Sequence, residues 1–244
     1  MKIEELNAKI TKCRKCRLWK SRTNVVLGEG NLNARIMLVA QAPGENEDRE
    51  AKMFIGPSGK VLDELLKNAG VKREQIYMTN LIKCFLPKYR KPKKDEIEAC
   101  SEYLDMEIEI INPEIIVPLG YYATKHIFKK YGIEMVDMPY GKLFLSEKKI
   151  YPLHHPASLL YNNDIKKEMI KHYSKLKIFL HECKWFPVCP MHYFYDKGML
   201  DKKWIEFYCK GDWGSCIRYQ MEENGIAHPD NMLPDGSIDK NLTE

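Results

Sequence analysis

The chain has 244 residues, 44% hydrophobic and 30% charged, with eight cysteines and a formal net charge of +5. That length can bury a full-sized core, and the balance excludes a disordered or fibrous chain. No apolar run reaches the roughly 20 residues that a membrane span needs, and residues 1–12 are charged and amphipathic, unlike a secretory signal. A cytoplasmic location is therefore expected, where clustered cysteines bind metal or do redox chemistry more often than they form disulfides.

In chain order, Cys13 and Cys16 come first, a C-x2-C pair beside Arg14, Lys15 and Arg17. An apolar, β-branched run at 36–39 ends in Gln41-Ala42-Pro43-Gly44, and a second at 76–79 ends in Asn80. Helical periodicity over 58–69 lies between them. A basic stretch then runs from Lys83 to Lys94 through Lys88, Arg90, Lys91 and Lys93, broken by Pro87 and Pro92. It reads equally well as a phosphate-contacting loop or a solvated one. Helices over 94–111 and 121–130 flank a third apolar run at 115–119. A fourth run at 149–153 leads into His154-His155-Pro156, and a helical stretch covers 166–181.

Strands alternating with helices predict an α/β fold, a three-layer α/β/α sandwich around a central four-stranded parallel sheet. Ligands of such sheets bind beyond the carboxyl ends of the strands, so Pro43-Gly44, Asn80 and His155-Pro156 should converge on one cleft. The texture changes after residue 182, which predicts a main domain at 1–182 and a small extension at 183–244. Residues 183–244 carry 7 Lys plus Arg against 10 Asp plus Glu, so the basic excess belongs to the main domain. Trp185, Phe186, Tyr193, Phe194, Tyr195, Trp204 and Trp213 read as a small core, with a base-stacking surface as the alternative.

Two cysteine quartets stand out. Cys13, Cys16, Cys84 and Cys100 could close one all-thiolate site, which suits either zinc or a 4Fe-4S cluster. Cys183, Cys189, Cys209 and Cys216 fall in the extension, where a second cluster or a zinc ion would staple a segment with little core of its own.

Several ordered motifs over roughly residues 1–180 resemble the fourth family of uracil-DNA glycosylases, the iron-sulfur enzymes of that superfamily. They are Cys13-x2-Cys16, Gly28-Glu29-Gly30, Ala42-Pro43-Gly44-Glu45 with Glu47-Asp48, and Phe54-Ile55-Gly56. Thr79-Asn80 with Lys83-Cys84, Cys100 and His155-Pro156-Ala157 complete the set. The resemblance implies a base-flipping repair glycosylase acting on uracil in DNA, with a 4Fe-4S cluster on the first quartet; no lysine lies in a motif that suggests Schiff-base chemistry, so a monofunctional enzyme is expected, and a monomer. The resemblance also implies that Phe54 stacks on the extruded base, that Asn80 reads its edge beside Ala42 and Gly44, and that His155 donates to uracil O2. Glu47 is the candidate for orienting the attacking water, and Gln41 is a neutral amide where the family usually carries an acid. Tyr89 likewise departs from the usual polar residue. Release of another deaminated base such as hypoxanthine, non-catalytic nucleic-acid binding and a two-cluster redox role are the competing readings.

Overall fold

The computed structural model describes residues 1–243, which form two compact units, Met1–Ser174 and Lys175–Glu244. The first unit is built on a single sheet. In chain order it holds α1 (Ile3–Thr11), β1 (Glu29–Gly30), β2 (Ile36–Ala40), α2 (Glu45–Glu50) and α3 (Pro57–Ala69). There follow β3 (Tyr77–Asn80), α4 (Lys94–Ile111), β4 (Ile115–Pro118), α5 (Tyr121–Lys130), β5 (Phe144–Leu145), β6 (Lys149–Ile150) and α6 (Lys166–Phe179). The boundary between the units falls inside α6, upstream of the change in composition at residue 182.

The sheet has six strands rather than four, in the order β1-β3-β2-β4-β6-β5. Its middle four, β3, β2, β4 and β6, run parallel. The other two are two-residue edge strands, each pairing antiparallel with its neighbour. Such short edges carry almost no alternation of polar and apolar residues, the pattern by which strands are read from sequence. The central strands are buried throughout, as Ile36-Met37-Leu38-Val39-Ala40 and Ile115-Ile116-Val117-Pro118 illustrate. Continuous apolar runs of this kind suit strands covered on both faces.

Register carries the site. Ala40 lies opposite Asn80 and Val39 opposite Pro118, so the chain leaves β2, β3 and β4 at one level. A bridge from Leu119 to Leu153 brings the segment before His154 to the same edge.

The helices that shape this edge have clear local causes. Pro57 starts α3, Gly70 ends it at φ 68°, and Leu62, Leu65, Leu66 and Ala69 form its buried stripe. Helix α4 buries Glu96, Cys100, Tyr103, Leu104, Glu107, Ile108 and Ile111, a helical face that carries two carboxylates and a thiol among its apolar residues.

The second unit is a set of short turns and helices, chiefly Pro190–Asp196, Ile205–Cys209 and Ile217–Glu223. Its core is Phe186, Met191, Phe194, Leu200, Ile205, Leu233 and Leu242, with Trp185, Tyr195, Trp204 and Trp213 packed against it. These aromatics form the expected small core, apart from Tyr193, which is exposed. Among the described residues no helix is long and apolar enough to cross a membrane.

Candidate active site

A cleft of about 470 Å³ opens beyond the carboxyl ends of β2 and β3, lined by Gln41, Pro43, Gly44, Glu47, Arg90 and His155, with Ala42 also in its wall. Gln41 follows β2 directly, and its carbonyl accepts from the Ile82 N–H at 3.0 Å. This bond ties the first residues after β2 to those after β3.

Glu47, the candidate for orienting the attacking water, sits in α2 and is 5% exposed. Its Oε1 accepts from the Gly56 N–H at 2.7 Å. Gly44 gives Glu47 room, since a Cβ there would lie 2.6 Å from Oε2. Beside it, buried Asp48 accepts from the Thr23 N–H at 2.9 Å and fastens α2 to the N-terminal segment. Buried carboxylates held by backbone N–H groups are satisfied and fixed in direction.

Phe54 has φ 51°, a left-handed conformation that costs a residue with a side chain about 1–3 kcal/mol. Arg73 holds it there, donating from Nη2 to the Phe54 carbonyl at 2.7 Å and from Nη1 to the Met53 carbonyl at 3.2 Å. A Cβ on Gly59 would stand 1.8 Å from that same carbonyl oxygen, so α3 can approach only because residue 59 has no side chain. Gly59→Ala is therefore expected to destabilise the fold by about 1–3 kcal/mol. It should also displace Phe54 and lower kcat/KM for base release by about 10-fold or more, read from thermal melts and turnover assays on one preparation.

Helix α3 packs on the turn Pro156–Leu160, and this contact brings the Phe54 and His155 rings to 6.1 Å between centroids. His155 Nδ1 accepts from the Ala157 N–H at 3.1 Å, which leaves Nε2 as the ring's N–H donor. Burial lowers the pKa of the imidazole to about 4, so it is neutral at pH 7. His154 has a different place. Its ring packs on Tyr140 at 4.0 Å, its Nε2 lies 3.9 Å from Glu168, and its carbonyl accepts from Tyr173 Oη at 2.9 Å. The adjacent histidines are thus told apart, with His155 on the cleft and His154 in packing.

Asn80 is almost fully buried, and its Nδ2 donates to Met53 Sδ at 3.1 Å. Asn80 was expected on the cleft, but neither it nor Phe54 lines it: Asn80 is tied to Met53 and Phe54 lies against the His155 ring, while Gln41, Ala42, Gly44, Glu47 and His155 line it.

The residues that sequence reasoning missed stand behind Asn80. Lys83 and Glu107 form a fully buried ion pair. Lys83 Nζ also donates to Thr79 Oγ1 at 2.6 Å and to the Asn80 carbonyl at 2.8 Å, while Thr79 Oγ1 donates to Glu107 Oε2 at 2.8 Å. Lys83 was read as the start of a basic surface run, and its burial removes it from any phosphate contact. The available signal was Glu107, a carboxylate on the apolar face of α4.

The basic run is corrected at a second place. Arg90 forms a two-pronged pair with buried Glu96, at 2.5 and 2.8 Å, and the Lys93 N–H adds a bond at 2.9 Å. Burial works against the Glu96 charge, but these donors hold its pKa below the usual carboxylate value. Arg90 thus fixes the loop that Tyr89 tops. Tyr89 is exposed, at φ 53°, with its hydroxyl donating to Glu45 Oε2 at 3.1 Å, and exposed Leu160 and Tyr161 also line the cleft.

The first cysteine quartet shares a separate cavity. Cys13, Cys16, Cys84 and Cys100 all line it, with Arg22, Lys83 and Tyr103 among its walls. Cys100 is the seventh residue of α4. Three N–H···S contacts face these thiols, from Lys15 N to Cys13 at 3.5 Å, Arg22 Nη1 to Cys84 at 3.2 Å and Lys83 N to Cys100 at 3.3 Å. Burial pushes the Cys100 thiol up to about 11. Among the described residues no group of three or more His, Cys, Asp or Glu side chains is placed to hold a metal ion. The thiols share a cavity without closing on one point.

Residues 27–177 match the Uracil DNA glycosylase superfamily. The type-4 uracil-DNA glycosylase of Sulfurisphaera tokodaii is 43% identical over 72% of this chain and 83% of its own length. That of Thermotoga maritima is 38% identical over 73% of this chain and 94% of its own. A type-5 uracil-DNA glycosylase of Pyrobaculum aerophilum is more distant, at 30% identity over 54% of this chain and 66% of its own length. With its cleft at the carboxyl ends of the parallel strands and its similarity covering residues 27–177 and more than two thirds of the chain, the chain belongs to the type-4 uracil-DNA glycosylases of the uracil-DNA glycosylase superfamily.

Proposed function

We propose that this chain is a DNA-repair enzyme that hydrolyses the N-glycosidic bond of uracil in DNA after the base has been flipped from its helix. The observation that carries the reading is that His155 and Glu47 face one cleft, the first as a neutral N–H donor and the second as a buried, backbone-held carboxylate.

The reaction breaks the C1′–N1 bond, leaving an oxocarbenium-like sugar and a uracil anion whose charge gathers on O2. His155 Nε2–H donates to that oxygen, and a donor poised where charge develops lowers the barrier rather than merely tightening ground-state binding. Glu47 orients the water that adds to C1′ and accepts its proton, and its charge favours the cationic sugar. Gln41 is a neutral amide in the same wall, so it positions water without adding charge. Asn80 reads uracil's N3–H and O4 when the base displaces the weak thioether acceptor of Met53. Phe54 stacks on the ring. Ala42 and Gly44 keep the wall low enough to admit the base.

Cys13, Cys16, Cys84 and Cys100 fit a 4Fe-4S cluster by donor type, shared cavity and N–H···S contacts. When bound, the cluster would cross-link the N-terminal segment, the loop after β3 and α4. Lys83 joins that region to the base-reading end of β3, because its N–H faces Cys100 while its Nζ holds the Asn80 carbonyl.

The rim formed by Tyr89, Leu160 and Tyr161 suits contact with unstacked bases, and the basic excess of the main unit suits the phosphate backbone. Base release from uracil-, hypoxanthine- and xanthine-containing oligonucleotides tests the assignment. Uracil release alone, or far ahead of the others, is expected. Release of hypoxanthine in preference to uracil would move the substrate class, and binding without release would make the chain a non-catalytic binder.

The pKa of His155 has its own consequence. An imidazole depressed to about 4 is neutral above that pH, so kcat/KM for uracil release should show no inflection from this group between about pH 5 and 8. An inflection near 6.5 that vanishes in His155→Gln would contradict the neutral-donor role. The unfolded chain takes up this proton at higher pH than the folded one does. His155 therefore withdraws stability as the pH falls from about 6.5 towards 4.

A further inference from the structure

The match to the glycosylase superfamily ends at residue 177, before the second cysteine quartet begins. Cys183, Cys189, Cys209 and Cys216 are separated by 5, 19 and 6 residues, yet all four line one cavity in the second unit. Three of them are buried and the fourth is half-buried. The Cys183 N–H donates to the Cys209 carbonyl at 2.8 Å and brings the first and third cysteines together. Backbone N–H groups turn towards the sulfurs, those of Trp185 and Phe186 towards Cys183, and those of Arg218 and Tyr219 towards Cys216.

A second, independent feature points to an anionic occupant. Arg218 lines the same cavity and is only 2% exposed. Its Nη1 donates to the carbonyls of Pro229, Asp230 and Met232 at 2.9, 3.1 and 2.8 Å. Its Nε and Nη2 have no hydrogen-bond partner among the described residues. A buried guanidinium with free donors is costly unless negative charge faces it, and a metal centre with four thiolates supplies that charge. The first quartet has a comparable arrangement in Arg22 and Cys84.

We infer that Cys183, Cys189, Cys209 and Cys216 hold a second 4Fe-4S cluster, distinct from the one proposed for Cys13, Cys16, Cys84 and Cys100. Room favours a cluster over zinc. The cavity is the larger of the two, at about 60 Å³ against about 10 Å³. His228 also lines it, with Nε2 3.1 Å from Glu222 Oε1 but neither ring nitrogen in a hydrogen bond among the described residues. The small core of this unit would gain a covalent staple linking its three cysteine-bearing segments.

The test is iron, acid-labile sulfide and zinc per chain in the full-length, anaerobically purified protein. About eight iron and eight sulfide are expected in the wild type. The double variant Cys189→Ser/Cys216→Ser should fall to about four of each, and so should Cys13→Ser/Cys16→Ser, each retaining the other cluster. The first variant is expected to keep uracil release, so failure of this inference is separable from failure of the glycosylase assignment. Four iron with one zinc in the wild type would overturn the cluster in favour of zinc. Four iron with no zinc would overturn any second metal centre, and neither result depends on whether a variant folds.

Discussion

Asn80→Ala is expected to lower kcat/KM for uracil release by about 10³-fold or more while leaving the fold and the iron content unchanged. The size follows from what the amide does. A buried site that matches a base's donors and acceptors loses discrimination by large factors when those groups go, because the remaining polar edges are left unpaired on binding. The fold should survive for a local reason. The Asn80 side chain makes one weak bond, to Met53 Sδ, whereas the strand is held through its backbone and through Lys83 Nζ on the Asn80 carbonyl. Single-turnover release from a uracil-containing oligonucleotide, with iron content and melting temperature measured alongside, checks all three parts. Near wild-type release would remove Asn80 from base recognition.

Lys83→Met should have the largest effect on stability. It removes one partner of a fully buried pair and leaves Glu107 as an uncompensated charge, a change that costs about 3–5 kcal/mol. Lys83 and Glu107 share no exposure to water through which the loss could be screened. The double variant Lys83→Met/Glu107→Leu should recover most of that loss, since an apolar pair of similar volume needs no partner. It should not recover uracil release, because Lys83 also holds the Asn80 carbonyl. Denaturant melts of the single and double variants, paired with turnover, separate the two roles. Full recovery of activity in the double variant would show that Lys83 contributes stability alone.

Much of this architecture was legible in the sequence for one reason. The parallel strands are buried on both faces, so they appear as uninterrupted apolar runs, and α4 and α5 follow at their expected bounds, Lys94–Ile111 and Tyr121–Lys130. The edge strands Glu29–Gly30 and Phe144–Leu145 were not legible, because two residues carry no period.

At the site, Gln41, Glu47 and His155 were singled out through the family resemblance, and the choice between His154 and His155 became physical only once Tyr140 and the Ala157 N–H were in place. Local pattern failed for Glu47, which looked like one solvated acid among several and is instead buried against the Gly56 N–H. It failed for Lys83 and Arg90 in the same way, since their partners, Glu107 and Glu96, lie on α4, and pairings at that range leave no mark on the spacing around either cation. A carboxylate on the apolar stripe of a helix is the trace such pairings leave, and α4 has two.

The central claim is that a flipped pyrimidine reaches past the cleft wall to Phe54, Asn80 and His155 and displaces Met53 from the Asn80 amide. A crystal structure of the protein with uracil bound tests it most directly. The expected result is uracil between the Phe54 and His155 rings, with Asn80 turned from Met53 to the base's N3–H and O4, and His155 Nε2 within hydrogen-bond distance of O2. Uracil bound elsewhere in the cleft, with the Asn80 amide still on Met53, would contradict it.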